Sequence, residues 1–227
     1  MKTQSLLLLL LVSQVTAAEP AAPACQFIKP EKLIVHEDGS RELAATSVKF
    51  HGEWALKDGL ICGVHGQEKH LATLKFDQPF EDCVLTFRMR FVDPGRFVFV
   101  GGGHGLDVAF GSTMSDPKAP KPAAFELSKI NILDRITRDA KGKPLPQSRK
   151  TVASVERAFP VGEWIHVLIE HSGDRVRVKI GETEIHGTGK FDVGPQGKDV
   201  FYLNAGEKPG TRVEFDDILC WSGKRIP

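Results

Sequence analysis

This 227-residue sequence has few of the features that identify membrane, nucleic-acid-binding or metal-binding proteins. Beyond its first residues it contains no apolar run near the roughly 20 residues that a membrane-spanning helix needs. Its 30 basic and 29 acidic residues nearly cancel, and it has no helix-turn-helix, zinc-finger or aromatic RNA-binding signature. Its four cysteines are too far apart along the chain for a zinc motif. We therefore expect a soluble protein without a nucleic-acid partner, a transmembrane segment or a cofactor.

The first residues have the composition of a signal peptide. Met1–Ala18 contains one early positive charge at Lys2, the apolar run Leu6–Val12 and small residues before a cleavage point near Ala18. A lipid-anchored alternative would use Cys25, which lies well past the apolar run. We expect a protein that is secreted or periplasmic, with a mature net charge near zero.

The rest of the chain shows short segments in which apolar and polar residues alternate. The pattern is clearest at Ile165–Ile169 and Val176–Ile180, which flank the turn residues Ser172-Gly173-Asp174. Similar runs and turns recur along the chain without an internal repeat. The sequence therefore predicts an all-β protein, a two-sheet antiparallel β-sandwich. We assign residues 19–47 to an N-terminal extension packing on the sandwich and residues 48–227 to the sandwich domain.

Two stretches interrupt this rhythm, Ser112–Pro122 and Asp139–Lys150, and both are rich in proline, lysine and small residues. We interpret them as long surface loops. Between Ser112 and Lys150 the basic residues outnumber the acidic ones. Such a rim would attract an anionic glycan, and the alternative is solvated charge without a ligand.

An exported protein can form disulfides, and four cysteines allow three pairings. Cys83 opens a predicted strand, and a bulge at Asp216-Asp217 would turn Cys220 of the last strand to the inner face. We favour Cys83 with Cys220 and, by subtraction, Cys25 with Cys62. The alternative is four reduced cysteines packed as small apolar side chains.

Five motifs in order resemble one known family. They are Trp54-Ala-Leu-Lys-Asp-Gly-Leu-Ile61, the strand Cys83–Phe91, Val161-Gly-Glu-Trp164, Gly173-Asp-Arg-Val176 and Val213-Glu-Phe-Asp-Asp-Ile218. Together they resemble the concanavalin-like (laminin-G-like) jelly roll of the bacterial 3-keto-disaccharide hydrolase-like domain family, over roughly Val48 to Trp221. The resemblance implies two curved antiparallel sheets with a sugar-binding concave face, and in some members hydrolysis of keto-sugar glycosides.

The sequence departs from that family where activity would be judged. Members commonly show G-Y-E-V-Q-I-x-D on a concave strand, and the nearest match here is Gly105-Leu-Asp-Val-Ala-Phe110. Asp107 stands at the position of the glutamate, whereas Ala109 replaces the glutamine. The E-x-D-x-E carboxylates of laminarinase-type enzymes are also absent, as is the G-x-S-x-G elbow of a serine hydrolase. We therefore assign no catalytic residue.

Candidate substrate-binding residues follow from strand parity. If Leu106, Val108 and Phe110 point into the core, Asp107 lies on the opposite face, with His104 nearby after three glycines. The pair would serve as an acid and base, or as a surface hydrogen bond. The remaining candidates come from two other predicted strands: Asn131, Asp134 and Arg135 from the first, and Trp164 and His166 from the second.

These observations predict a secreted glycan-binding β-sandwich whose concave face binds carbohydrate, with or without hydrolysis of keto-modified or other glycosides. The alternative is a non-enzymatic structural or adhesion module of the cell envelope or matrix. No metal site is expected; calcium would have only the Asp216-Asp217 pair, without a ligand-loop motif. The oligomeric state is left open.

Overall fold

The computed structural model describes residues 20–67, 70–78, 80–101, 105–112, 129–138, 144–191 and 200–227, with the backbone alone for 135–138 and 144–148. These residues form fifteen β-strands and no helix, so the predicted all-β class is confirmed. The strands are β1 (Ile28–Glu37), β2 (Ser47–His51), β3 (Glu53–Lys57), β4 (Leu60–Val64), β5 (Ala72–Phe76), β6 (Cys83–Phe91), β7 (Arg96–Gly101), β8 (Leu106–Gly111), β9 (Lys129–Arg138), β10 (Pro144–Glu156), β11 (Ile165–Ser172), β12 (Arg175–Ile180), β13 (Thr183–Thr188), β14 (Phe201–Gly206) and β15 (Arg212–Arg225). Nothing in the described part of the chain is a helix long and apolar enough to span a membrane.

The strands form two antiparallel sheets. Sheet A has the order β13-β12-β11-β6-β15-β4-β3, and β1 also pairs with β15. Sheet B has the order β10-β9-β8-β7-β14-β5-β2. About half of the neighbouring pairs in these orders join strands that are distant in the sequence, as in a jelly roll, and the two-sheet sandwich predicted from the sequence is confirmed.

The core lies between the sheets and is rich in phenylalanine. Phe76 stacks on Phe201 with ring centroids 4.6 Å apart, and Phe97 of sheet B packs against Phe87 and Phe215 of sheet A at 5.4 and 6.1 Å. All five rings are buried. Each buried aromatic side chain removes a large apolar area from water, and this burial stabilises the sandwich.

The hairpin β11–β12 forms as its alternation predicts. Val167 pairs with Ile180 and Ile169 with Val178, and all four side chains are buried in the core. The turn between the strands uses Gly173, whose φ of 61° lies in the left-handed region that glycine adopts without strain.

The first family motif forms the hairpin β3–β4. Asp58 and Gly59 both have positive φ, as a tight hairpin turn requires. Trp54 pairs with Gly63, and a Cβ on that glycine would lie 2.8 Å from the indole ring. The indole also stacks on Phe215 at 6.1 Å. The motif therefore combines a hairpin turn with the packing of one buried tryptophan against Gly63 and Phe215.

The predicted bulge in the last strand is present. The register of β15 on β6 shifts between Asp216 and Leu219, and Asp217 has a φ of 49°. Past the bulge, Ile218 and Cys220 are fully buried in the core. The extra residue thus keeps apolar side chains inward on both halves of this long strand.

All four cysteines are free thiols in the structure, so the predicted disulfides are not present. Cys83 and Cys220 are nevertheless neighbours in the core, and burial, followed by the influence of Cys220, raises the pKa of Cys83 well above its usual value. The expected bridge between Cys25 and Cys62 does not fit this arrangement. Cys25 lies beside Arg177 of β12, whereas Cys62 belongs to β4, four strand spacings or about 19 Å away in the order of sheet A.

The N-terminal segment is integrated into sheet A through β1 and through one buried carboxylate. Glu170 is fully buried and accepts hydrogen bonds from the backbone N–H groups of Gln26, Phe27 and Ile28, at 2.9, 2.5 and 2.8 Å. Arg177 Nη1 lies 3.3 Å from the same carboxylate. One side chain therefore fixes the start of β1 on the outer face of β11.

The prediction of a loop over Asp139–Lys150 is wrong for the second half of that segment. Residues 144–150 belong to β10, which pairs with β9 over most of its length. The prolines of this segment are compatible with a strand because β10 is the edge of sheet B, where one side of the backbone needs no ladder hydrogen bond. Most of the other predicted loop, Ser112–Pro122, lies outside the described residues.

Candidate functional site

The outer face of sheet B carries a row of side chains that run across the strands. Because Leu106, Val108 and Phe110 point into the core, Asp107 and Ala109 of β8 face outward, as the parity argument predicts. The register places Asp107 between Val100 and Leu133, and Ala109 between Val98 and Asn131. Val98, Val100 and Ala109 form a small apolar cluster separate from the main core, with Leu71 and Tyr202 packed against it.

Asp107 is the central acid of this face. Its side chain is 0% exposed, although it does not belong to the core, and its Oδ2 lies 3.4 Å from Nε of Arg149 on β10. Removing a carboxylate from water costs on the order of several kcal/mol unless charges and hydrogen bonds compensate for the lost hydration. Arg149 supplies the compensating charge here. A desolvated acid outside the core, facing a partly exposed arginine, is a candidate for a functional site.

Amide and hydroxyl side chains flank this acid on both sides. On one side, Ser154 donates to Oδ1 of Asn131 at 2.8 Å. On the other, Thr73 donates to Oδ1 of Asn204 at 2.8 Å, while Asn204 Nδ2 donates to the carbonyl of Val98 at 2.9 Å. Asn131 and Asn204 are half-buried. The face thus combines an apolar floor with oriented polar groups, the usual composition of a ligand site.

The structure brings together only some of the predicted site residues. Asp107 and Asn131 share the outer face of sheet B, and the backbone of Arg135 continues the outward parity of β9. Asp134 has the opposite parity, is buried, and accepts the N–H of Lys190 at 3.1 Å, which gives it a structural contact. His104 lies outside the described residues.

Trp164 and His166 lie on the other side of the sandwich, at the outer face of sheet A. His166 pairs with Arg88 on β6 and is exposed. The guanidinium groups of Arg88 and Arg90 lie 5.4 and 4.8 Å from the centre of the Trp164 ring. Trp164 therefore packs with cations on sheet A and does not lie beside Asp107.

Sequence reasoning missed Arg149, Thr73, Tyr202 and Asn204. The signal for Tyr202 and Asn204 was available, because they alternate with the buried residues Phe201, Leu203 and Ala205. Arg149 was assigned to a loop, and nothing in the local sequence pairs it with Asp107.

The described residues contain no cluster of three or more histidine, cysteine, aspartate or glutamate side chains that could hold a metal ion. Asp216 forms an ion pair with Arg88, and Asp217 lies 3.9 Å from the same guanidinium. The aspartate pair considered for calcium therefore faces an arginine.

An antiparallel two-sheet sandwich with a polar outer face defines a jelly-roll protein of the concanavalin-like class. Residues 38–218 match the model of the 3-keto-alpha-glucoside-1,2-lyase-like domain family. Because this match covers most of the chain, the protein belongs to that family, and the resemblance found in the sequence is confirmed. A comparison with curated proteins gave no match.

Solved structures with similar folds include proteins that bind or cleave polysaccharides. The carbohydrate-binding module CBM66 from Bacillus subtilis is 12% identical with a TM-score of 0.53, covering 78% of this chain and 96% of the module. A galectin-like protein of unknown function from the same organism is also 12% identical, with a TM-score of 0.55 and coverage of 88% and 100%. The kappa-carrageenase of Pseudoalteromonas carrageenovora is 10% identical, with a TM-score of 0.57 and coverage of 92% and 100%. At these identities the similarity shows the fold alone, a fold shared by carbohydrate-binding and glycosyl-hydrolase-like proteins.

Proposed function

We propose that this protein is exported and binds a glycan at the outer face of sheet B, centred on Asp107. The observation that carries the proposal is this fully buried carboxylate at an outward strand position, paired with Arg149. Glu170 is also fully buried at an outward strand position, but backbone N–H groups of this chain enclose it, whereas Asp107 lies beside side chains that a ligand can reach. Asn131, Asn204 and Tyr202 lie beside it and remain half-exposed, so a ligand has polar groups to contact on both sides.

The charge of the face bears on which glycan it binds. Arg149 lies 3.4 Å from Asp107, so the two opposite charges compensate each other on this face. A neutral saccharide, whose hydroxyls both donate and accept hydrogen bonds, fits such a charge-balanced site better than an anionic glycan. Binding of a sulfated or carboxylated glycan stays a prediction from the basic sequence between Ser112 and Lys150.

Binding is tested on an array of neutral and sulfated glycans with the wild-type protein and Asp107→Asn. This variant removes the charge but keeps the shape, and we expect it to weaken binding by about 10- to 100-fold, because an interaction of a charged hydrogen-bonding group contributes about 1.5–3 kcal/mol. Asp58→Asn, at the exposed β3–β4 turn, is the matched control and leaves binding unchanged. Absence of glycan binding by the wild-type protein refutes the proposal.

A second function is favoured by the family description, which names cleavage of a 3-keto-α-glucoside across carbons 1 and 2. In such an elimination, a base removes the proton from C2, which the neighbouring C3 ketone acidifies. The C1–O bond then breaks, a C1=C2 double bond forms, and the departing alkoxide takes up a proton from water. Asp107 is an acid of suitable type for the base, and Arg149 is placed to orient its carboxylate.

Release of nitrophenol from 4-nitrophenyl 3-keto-α-glucoside distinguishes the binder from the lyase. If the protein is a lyase, Asp107→Asn lowers kcat by about 100-fold or more, since positioned general bases contribute about 10²–10⁴-fold. If it is a binder, the wild-type protein releases no nitrophenol above the rate in buffer, whereas it still retains glycan on the array. An Asp107→Asn variant with full turnover removes this residue from the mechanism.

Export makes two further proposals testable on protein recovered outside the cytoplasm. N-terminal sequencing should start near Glu19 if residues 1–18 are removed. We also propose that Cys83 and Cys220, which influence each other in the core, form a bridge in an oxidising compartment, and non-reducing peptide mapping detects it. A peptide map with both thiols free contradicts the bridge.

A further inference from the structure

An open groove of about 680 Å³ lies on the outer face of sheet A, on the opposite side of the sandwich from Asp107. Its floor consists of Leu168, Thr86 and Leu219, which the register places side by side on β11, β6 and β15. All three side chains are half-buried. The volume falls within the range of about 300–1,000 Å³ that is usual for small-molecule sites.

Polar side chains border this floor at its two ends. Lys179 and Glu182 approach from the β12–β13 hairpin, and Asp217 approaches from the bulge of β15. His166 lies between them on β11. Lys179, Glu182 and His166 have no side-chain hydrogen bond or ion pair with any residue that the structure describes.

This lack of pairing distinguishes the groove from the rest of the same face. Around it, arginines and acids are joined in ion pairs: Arg90 with Glu214, and Arg177 with Glu184 at 2.9 Å. Sheet surfaces of this kind satisfy their own charges. In the groove, Arg88 is likewise paired with Asp216, but Lys179, Glu182 and His166 border two leucines and remain available to a ligand.

The bulge of β15 holds Asp217 in an unfavourable backbone conformation beside the groove. Asp217 is one of two non-glycine residues in the described chain with positive φ, and this conformation costs free energy for a residue with a side chain. The bulge turns its exposed carboxylate to the groove instead of the core. Bulges that redirect a side chain in this way are common beside ligand sites.

We propose that this groove is a second ligand site, independent of the outer face of sheet B, and that it binds a neutral saccharide. The cations Arg88 and Lys179 are met by Glu182, Asp217 and the Arg88 partner Asp216, so the groove offers no surplus positive charge to an anionic glycan. The leucine floor suits the apolar face of a sugar ring, and the border offers both donors and acceptors to its hydroxyls. A protein partner would need about 800 Å² on each side, a larger area than this groove presents.

The test follows backbone amide signals of isotope-labelled protein by NMR during titration with maltotriose, cellotriose or trehalose, and separately with a sulfated heparin hexasaccharide. We expect at least one neutral sugar to shift the amides of Thr86, Leu168 and Leu219. Thr86→Phe fills the floor and should raise the Kd by about tenfold or more, which corresponds to about 1.4 kcal/mol. Ala55→Phe places the same ring at an exposed outer position of β3, outside the groove, and leaves the Kd unchanged.

Glu182→Gln keeps the inference testable if Thr86→Phe does not fold, and it should raise the Kd by about threefold to tenfold through loss of a charged acceptor. Failure of all three neutral sugars to bind at millimolar concentration overturns the inference, as does binding of the heparin hexasaccharide alone. Shifts confined to Asn131 and Asn204 also overturn it, yet they leave the proposed function standing. Shifts confined to Thr86, Leu168 and Leu219 support the inference and refute glycan binding at the outer face of sheet B.

Discussion

Glu170→Gln should destabilise the fold strongly, because this carboxylate holds the N-terminal segment. In the wild-type protein three backbone N–H groups and Arg177 converge on its two oxygens. A glutamine of the same shape keeps one acceptor oxygen but turns an NH₂ group toward these donors. Hydrogen bonds to a charged group contribute about 1.5–3 kcal/mol each, and they are not additive.

The expected loss is about 2–4 kcal/mol, somewhat below the 3–5 kcal/mol for breaking a buried ion pair, because Arg177 keeps Glu184 as a partner. For a domain of this size, that loss lowers Tm by about 5–15 °C. Urea unfolding and thermal unfolding both measure it. The control is Glu182→Gln, an exposed acid with no side-chain partner in the described chain, for which we expect a change below about 0.5 kcal/mol.

Hydrogen exchange adds a local measurement to this experiment. The amides of Phe27 and Ile28 are bonded to the Glu170 carboxylate and should exchange much faster in the variant. The reasoning is refuted if the free energy of unfolding falls by less than about 1 kcal/mol and these amides remain protected.

Three other predictions follow from single contacts. Gly63→Ala should cost about 1–3 kcal/mol in urea unfolding, since its Cβ would lie 2.8 Å from the Trp54 ring; an unchanged midpoint contradicts this packing. Arg177 lowers the pKa of Glu184 to about 2, so the pair stabilises the fold fully above the ordinary pKa of 4.5 and progressively less as the pH falls toward 2. Glu184→Gln should therefore lose on the order of 1 kcal/mol at neutral pH and less at acidic pH, and equal losses would be contrary to expectation. In the reduced protein, the raised pKa of buried Cys83 should make alkylation far slower than in urea, and mass spectrometry of labelled peptides detects the difference.

The parity of short strands could be predicted from the sequence because it depends on neighbouring residues alone. Alternation identified the inward positions of β8 and β11, and the two consecutive aspartates before Ile218 indicated the bulge of β15. Each prediction required only that apolar side chains be buried on one face. The strand β10 was missed because its prolines and cations are typical of a loop, and only its position at the sheet edge makes them compatible with pairing.

The candidate site could not be assembled in the same way, because it depends on the order of strands in the sheets. Asp107 meets Arg149 only because β8, β9 and β10 are neighbours in sheet B. The same strand order separates Trp164 and His166 from Asp107, although parity alone made all three outward-facing candidates. In a sandwich, an outward position has two possible sides, and local alternation does not distinguish them.

Two fully buried carboxylates therefore have different expected roles. Glu170 is enclosed by backbone N–H groups of this chain, which no ligand can replace, so its loss should lower stability and leave glycan binding intact. Asp107 faces the partly exposed side chain of Arg149 on a surface bordered by half-exposed amides, where a ligand can compete for the same groups. Its conversion to asparagine should weaken binding while the unfolding midpoint changes less than in Glu170→Gln. If instead Asp107→Asn unfolds the protein and Glu170→Gln abolishes binding, the assignment of the site to the outer face of sheet B is wrong.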